Sequence, residues 1–253
     1  MAGITVRGLT LGTGEKTAKI ILPIPAQSVA DACEKARALR ALPGDMAELR
    51  LDGVPGGGAG ACECLTAVRE ILPQYPLLAT VRTRREGGAA DLTPERYTAL
   101  LQALLQTGAA DLLDVELSAG ATAAQALVQA ARAAGVYTVF SSHDFAKTPP
   151  VAEMAARLAA MGAAGADIAK LAVMPHSPAD AAALLQATAL AAQRMPNTPL
   201  ITMAMGAHGA ITRACGFAFG SVATFGSAGQ ASAPGQPDAK SLRRALDALA
   251  ECL

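Results

Sequence analysis

The chain has 253 residues, 52% of them hydrophobic and 17% charged, with 21 basic and 21 acidic side chains and a formal net charge of +0. That apolar content over this length supports a sizeable core and excludes disorder, while the balanced charge argues against a nucleic-acid surface, which needs a basic footprint. No apolar run reaches the roughly 18–20 residues of a membrane span, and Met1–Arg7 lacks the charged head and apolar stretch of a signal peptide; a cytoplasmic protein is expected.

In chain order, Ile4–Val6 and Leu9–Leu11 read as a short hairpin placed to close the bottom of a barrel. The segment from Gly12 to Thr17 is not a phosphate-binding loop, because its second glycine is not followed directly by lysine. From there, short apolar runs alternate with Ala- and Leu-rich helical stretches. The strand-like runs are Lys19–Ile24, Ala47–Asp52, Leu77–Thr83, Leu112–Leu117, Tyr137–Asp144, Ile168–Met174, Pro199–Met205 and Val222–Phe225. The expected helices are about Ser28–Leu42, Ala59–Leu72, Pro94–Thr107, Ala121–Ala134, Val151–Met161, Pro178–Gln193 and Asp238–Cys252, with only a short connection, about Gly209–Ala214, after the seventh run. Strand–helix alternation throughout means a parallel sheet. Eight units at about 31 residues each, with no G-x-G-x-x-G turn, predict a closed (β/α)8 TIM barrel as one domain over residues 1–253.

The charged residues inside these runs are the chemical signal. Side chains alternate across a strand. Glu48, Arg50 and Asp52 therefore share a face, as do Thr80, Arg82 and Arg84; Val139, Ser141 and His143; and Ile168, Lys170, Ala172 and Met174. A barrel interior prefers branched apolar layers, and barrel enzymes keep their chemistry at the carboxyl ends of the strands. Lys170 stands out within Asp167–Met174, a segment that reads as a buried strand. Burial among apolar groups favours a neutral amine, a nucleophile that can form a Schiff base with a carbonyl. The alternative is a structural lysine that snorkels or pairs with a carboxylate. Glu48 with Arg50 could likewise be a structural ion pair, Arg84 and Arg85 a solvated cluster, and His143 a cap at a helix start with Asp144. His143 and Lys170 are 27 residues apart, roughly one βα unit, which sets them on neighbouring strands.

The five cysteines are scattered without a paired metal-binding spacing and are read as reduced thiols; no metal site is expected. His176 and His208 have no motif around them and are expected at the surface.

Taken in order, several segments resemble the type I 3-dehydroquinate dehydratases of the shikimate pathway, over nearly the whole chain. They are Glu48–Asp52, Thr80–Gly88, Asp114–Leu117, Ser141–Pro149, Ala166–Pro175, Ile201–Gly206, Thr224–Ser227 and Ser232–Gln236. The resemblance implies dehydration of 3-dehydroquinate through an imine, with no metal or other cofactor, in an enzyme that is often a homodimer. It implies Lys170 as the Schiff-base lysine, His143 as general acid/base and Glu86 as the group that orients or charge-tunes His143. Arg213 would clamp the substrate carboxylate, and Glu48, Arg50 and Arg82 would hold ring hydroxyls. Ser232 and Gln236 would close over the substrate from the loop after the eighth strand. Met203, Met205, Phe145 and Ala172 would form the apolar wall. One departure is Pro23, where some members of the family carry a substrate-contacting serine. A class I aldolase or transaldolase would share the barrel and the lysine, but it would need a sugar-phosphate site in place of Arg213 and the Ser232–Gln236 loop. A binding module on a degenerate barrel would bind ligand without turnover.

Overall fold

The computed structural model describes residues 3–12, 15–229 and 234–252. Strands β1 (Gly3–Val6) and β2 (Leu9–Gly12) form an antiparallel hairpin. Its two-residue turn, Arg7–Gly8, has positive φ at both positions, 47° and 81°, the backbone that matches the twist of a tight hairpin. Val6 and Leu11 are buried against Ile21, Met46, Leu78 and Leu112, early in their strands, so the hairpin plugs the lower end of the barrel.

The barrel strands are β3 (Lys19–Pro25), β4 (Met46–Arg50), β5 (Leu77–Thr80), β6 (Leu112–Glu116), β7 (Tyr137–Asp144), β8 (Ile168–Val173), β9 (Leu200–Ala204) and β10 (Ala223–Phe225). All pair in parallel, in the order β10-β3-β4-β5-β6-β7-β8-β9. Leu200 bridges Ser221, and the Val222 N–H donates to Leu200 O at 2.7 Å, which brings β9 against β10 and closes the ring. The helices are α1 (Val29–Leu39), α2 (Gly57–Ile71), α3 (Pro94–Gln106), α4 (Ala121–Ala133), α5 (Val151–Ala163), α6 (Pro178–Arg194), α7 (Gly206–Cys215) and α8 (Ala239–Ala250). Local chemistry starts several of them. Ser28 caps α1 by accepting from the Asp31 N–H, and Ser177 and Asp180 form a reciprocal capping box ahead of α6, with Pro178 in its first turn.

Alternation along the strands separates two apolar layers. Ala47, Leu49, Ala79, Val81, Leu113, Val115, Ala169 and Leu171 point outward under the helices. Met46, Leu78, Leu112, Val139, Ile168 and Ile201 fill the interior. Higher along the same inward faces the apolar side chains give way to Glu48, Thr80, Asp114, Ser141 and Lys170, all buried. Folding thus places polar groups in one layer toward the strands' carboxyl ends.

Two sequence expectations need correction. The run Leu77–Thr83 is a strand only to Thr80; the chain then turns into a 3-10 segment, Arg84–Glu86, closed by Gly87 at φ 80°. The short connection expected at Gly209–Ala214 is a ten-residue helix, α7. Its glycines and β-branched residues argue against helix by propensity, but packing overrides them. A Cβ at Gly209 would lie 2.3 Å from Ala204 C and O, so glycine lets α7 press onto the end of β9. The Thr212 hydroxyl then accepts the Ala204 N–H at 2.9 Å.

Pro23 lies within β3, paired to Glu48 of β4. The Lys19 N–H points at Val222 O just before β10, so by alternation an N–H at position 23 would point toward Gly226. Proline supplies none, and Gly226 O instead accepts from Gln236 Nε2 at 3.2 Å. No helix among the described residues is long and apolar enough to cross a membrane.

Candidate active site

The pairing of β7 with β8 sets Ser141 beside Lys170 and His143 beside Ala172. His143 therefore stands one inward step above Lys170 on the neighbouring strand. Both face a cleft of about 230 Å³. Glu48, Arg50, Arg82, Glu86, Phe145, Ala172, Met203, Met205, Arg213 and Gln236 line the same cleft. Every site residue expected from the sequence is there except Ser232, which lies outside the described residues.

Lys170 is 3% exposed, and its setting is not the apolar one expected. Phe225 lies under the amine, 4.6 Å from Nζ to the ring centroid. The amine also sits 3.3 Å from Glu48 Oε1 and 3.3 Å from Asp114 Oδ2. Glu48 in turn accepts from the Thr80 hydroxyl at 3.1 Å. Glu48 pairs with Lys170 rather than with Arg50; the Arg50 guanidinium instead makes a two-bond fork to Asp52, at 2.7 and 2.8 Å.

Arg82 is the hub beside this pair. Its Nη2 donates to Asp114 Oδ2 at 2.7 Å, and Nη1 to Glu116 Oε1 at 3.0 Å and to Ser141 Oγ at 2.9 Å. The Ser141 hydroxyl donates to Asp114 Oδ1 at 2.6 Å. Burial alone would raise the Asp114 pKa; Arg82 and Lys170 outweigh it and hold Asp114 below the usual carboxylate range. Burial would likewise favour a neutral Arg82, but Asp114, Glu116, Glu86 and Glu48 outweigh it and keep the guanidinium charged.

Glu86 reaches the site from the 3-10 turn after β5. Its Oε2 lies 2.9 Å from His143 Nδ1 and accepts the His143 backbone N–H at 3.1 Å. Burial, then the nearby Glu116 carboxylate, pushes the Glu86 carboxyl up to about 7, against the pull of Arg82. Burial, then the charges of Arg82, Lys170 and Arg50, holds His143 well below its ordinary 6.5, so the imidazole is neutral at physiological pH. His143 is not a helix cap. No helix starts there, since α5 begins at Val151; Asp144 Oδ1 instead closes the intervening turn by accepting from the N–H groups of Ala146 and Lys147. Phe145, 41% exposed, stacks over His143 with ring centroids 6.5 Å apart.

Arg213 enters the cleft from α7. It is 2% exposed, and among the described residues its guanidinium contacts Met203 Sδ and Phe225 O, each at 3.5 Å. Among the described residues its Nε has no hydrogen-bond partner and no carboxylate pairs with it. Burial alone draws its pKa down to about 10. The planar fork of a guanidinium in this state is able to grip a carboxylate with two bonds.

Sequence reading missed Asp114, Glu116, Ser141 and Phe225 as parts of the site. The signal was available for the first two. Asp114 and Glu116 sit two apart in the apolar run Leu112–Leu117, the alternation that already singled out Glu48 and Arg50. Arg84 and Arg85 are outside, Arg84 paired with Asp91 at the surface, and His176 and His208 are exposed, as expected. None of the five cysteines is in a disulfide, and no cluster of metal-ligating side chains occurs among the described residues.

A parallel barrel with acid–base groups gathered above a buried amine, at the carboxyl ends of its strands, has the build of a barrel enzyme. A sequence model of the type I 3-dehydroquinase family matches residues 20–252. The 3-dehydroquinate dehydratase of Enterococcus faecalis is 42% identical over 248 residues, covering 97% of each chain. That of Neisseria gonorrhoeae is 41% identical, covering 97% of this chain and 96% of its own. The solved type I 3-dehydroquinate dehydratase from Clostridium difficile, with covalently modified comenic acid, has a TM-score of 0.95 at 36% identity, over 100% of both chains. The chain belongs to the type I 3-dehydroquinase family, and its enzyme class is the hydro-lyases.

Proposed function

We propose that this protein dehydrates 3-dehydroquinate to 3-dehydroshikimate through an imine on Lys170, with His143 as general acid and base, in the shikimate route to aromatic amino acids. The observation that carries this reading is Arg213. A buried guanidinium without a carboxylate partner among the described residues opens onto the same cleft as Lys170 and His143. A substrate carboxylate gripped there would be held in the cleft with its ring against the amine. The covalently modified comenic acid in the Clostridium difficile relative supports covalent chemistry on an acid ligand in this fold.

Lys170 gives its ammonium proton to His143 and adds through its amine to the C3 carbonyl; the imidazolium then protonates the carbinolamine hydroxyl, which departs as water and leaves a protonated imine. The iminium is an electron sink. His143 takes the C2 proton, and the C–H electron pair moves toward the iminium nitrogen as an enamine. The enamine expels the C1 hydroxyl as water, with its proton supplied by the imidazolium. Hydrolysis of the conjugated imine releases product and restores the amine. With Nδ1 turned to Glu86, Nε2 is the nitrogen left for this proton traffic, a contribution typically of about 10²–10⁴-fold. Glu48, Arg50 and Arg82 would face the ring hydroxyls, and Met203, Met205, Phe145 and Ala172 would exclude water.

The test is turnover by chelator-treated protein, read as the ultraviolet absorbance of the conjugated enone. Activity is expected, with His143→Ala slower by at least about 10²-fold. A folded protein that leaves 3-dehydroquinate unchanged but turns over a sugar phosphate would replace this reading with an aldolase.

A further inference from the structure

Glu116 is a buried carboxylate, 1% exposed, that does not line the substrate cleft. Its contacts run instead to the start of the turn that carries Glu86. Oε1 accepts from Arg82 Nη1 at 3.0 Å and from the Thr83 backbone N–H at 2.8 Å. Oε2 accepts from the Thr83 hydroxyl at 2.6 Å and faces Ser118 Oγ at 3.4 Å. Charge neutralisation of Arg82 does not account for this, because Asp114 already pairs with the same guanidinium at 2.7 Å. What Glu116 adds is a grip on both atoms by which Thr83 can be held as a donor. Thr83 O then accepts the N–H of Glu86 at 3.0 Å and of Gly88 at 2.8 Å, so the turn hangs from Thr83. At the far end of that turn, Glu86 meets His143.

We propose that Glu116, acting through Thr83, is a positioning residue: it fixes the turn that aims Glu86 at His143 Nδ1, and so sets the tautomer and orientation of the imidazole. The proposal rests on the reading of His143 as the acid/base group. The negative charge of Glu116 also contributes to the raised pKa of Glu86, consistent with coupling between the two carboxylates. A shift of an ångström or less at the end of the turn is enough to matter, since misplacement on that scale can cost about 10²-fold in rate.

The experiment combines Glu116→Gln and Thr83→Val, each alone and in a Glu86→Gln background, with kcat and KM measured for 3-dehydroquinate. The imidazole nitrogen resonances of His143 are followed in the unliganded protein. Glu116→Gln should lower kcat by about 10- to 100-fold with KM changed by less than about threefold, and Thr83→Val should follow in the same direction. In the Glu86→Gln background each should cost less than about threefold more, because the partner through which it acts is already lost. The His143 Nδ1 resonance should move in both single variants. Independent, multiplicative losses in the Glu86→Gln background, a change confined to KM, or an unmoved His143 resonance would each overturn the proposal. If Glu116→Gln does not fold, Thr83→Val decides it. If the unaltered protein shows no turnover, the functional reading fails by itself, and the resonances still decide whether Glu116 positions the dyad.

Discussion

Arg213 buries a guanidinium whose Nε has no hydrogen-bond partner among the described residues, and burial draws its pKa down to about 10. An unpaired buried charge costs stability, whereas an apolar side chain of similar length does not. Arg213→Met is therefore expected to raise the unfolding free energy by roughly 1–3 kcal/mol. The same change should raise KM by about 30- to 150-fold, the equivalent of losing charge-assisted bonds worth about 2–3 kcal/mol. Thermal unfolding and steady-state kinetics on one preparation check both. A less stable Arg213→Met would mean that Arg213 is structural.

Glu86 gives a pH prediction with a definite sign. As a carboxylate it accepts the proton on His143 Nδ1 and leaves Nε2 able to take one; as a neutral acid it donates to Nδ1 and reverses the tautomer. With its pKa at about 7, kcat/KM should fall as the pH drops through about 7. Glu86→Gln should be slower and should lack this limb. The stability effect follows from the same shift. A carboxyl raised from 4.5 to about 7 contributes stability that is fully present below 4.5 and is lost as the pH rises through about 7. Glu86→Gln should therefore be more stable than the parent above about pH 7 and little different below 4.5. Unfolding curves across that range would show the opposite ordering if the carboxylate were the form favoured by the fold.

Among the elements, α7 shows where local sequence misleads. Alanine normally outdoes glycine inside a helix by about 1 kcal/mol. At Gly209 the added Cβ would meet the Ala204 backbone at 2.3 Å, and overpacking against backbone costs about 1–3 kcal/mol. The steric term wins, so Gly209→Ala should lower the melting temperature. It should also raise KM, because Arg213 sits one turn further along the same helix. A rise in melting temperature would show that α7 can move away from β9 at no cost. The strands were legible because their inward and outward faces differ in chemistry over several residues. α7 was not, because the contact that stabilises it lies on β9 and leaves no periodic trace in Gly206–Cys215. That Glu48 and Asp114 are the carboxylates paired with Lys170 went unread for a related reason. Alternation marks Asp114 as inward, but only the stagger between strands brings it to the amine of β8.

At the scale of the whole molecule, the barrel follows from repetition of one unit, and the unit length was visible in the sequence. Closure and polarity of the ring then do the functional placing. The hairpin and the interior apolar layer fill the lower end, which confines the cleft to the carboxyl end, where β4, β7 and β8 deliver Glu48, His143 and Lys170 and the chain just beyond β5 delivers Arg82. Lys170 alone was ambiguous in sequence, since a lysine paired with carboxylates and a nucleophilic lysine occupy similar strands. The structure contains the pairing as well as the open cleft, so the decisive property is reactivity. The most direct test is borohydride reduction in the presence of 3-dehydroquinate, read by peptide mass spectrometry. A reduced ligand adduct on the peptide containing Lys170, absent in Lys170→Ala, is the result expected. A folded protein that binds the ligand but yields no adduct, or an adduct on another lysine, would contradict the account.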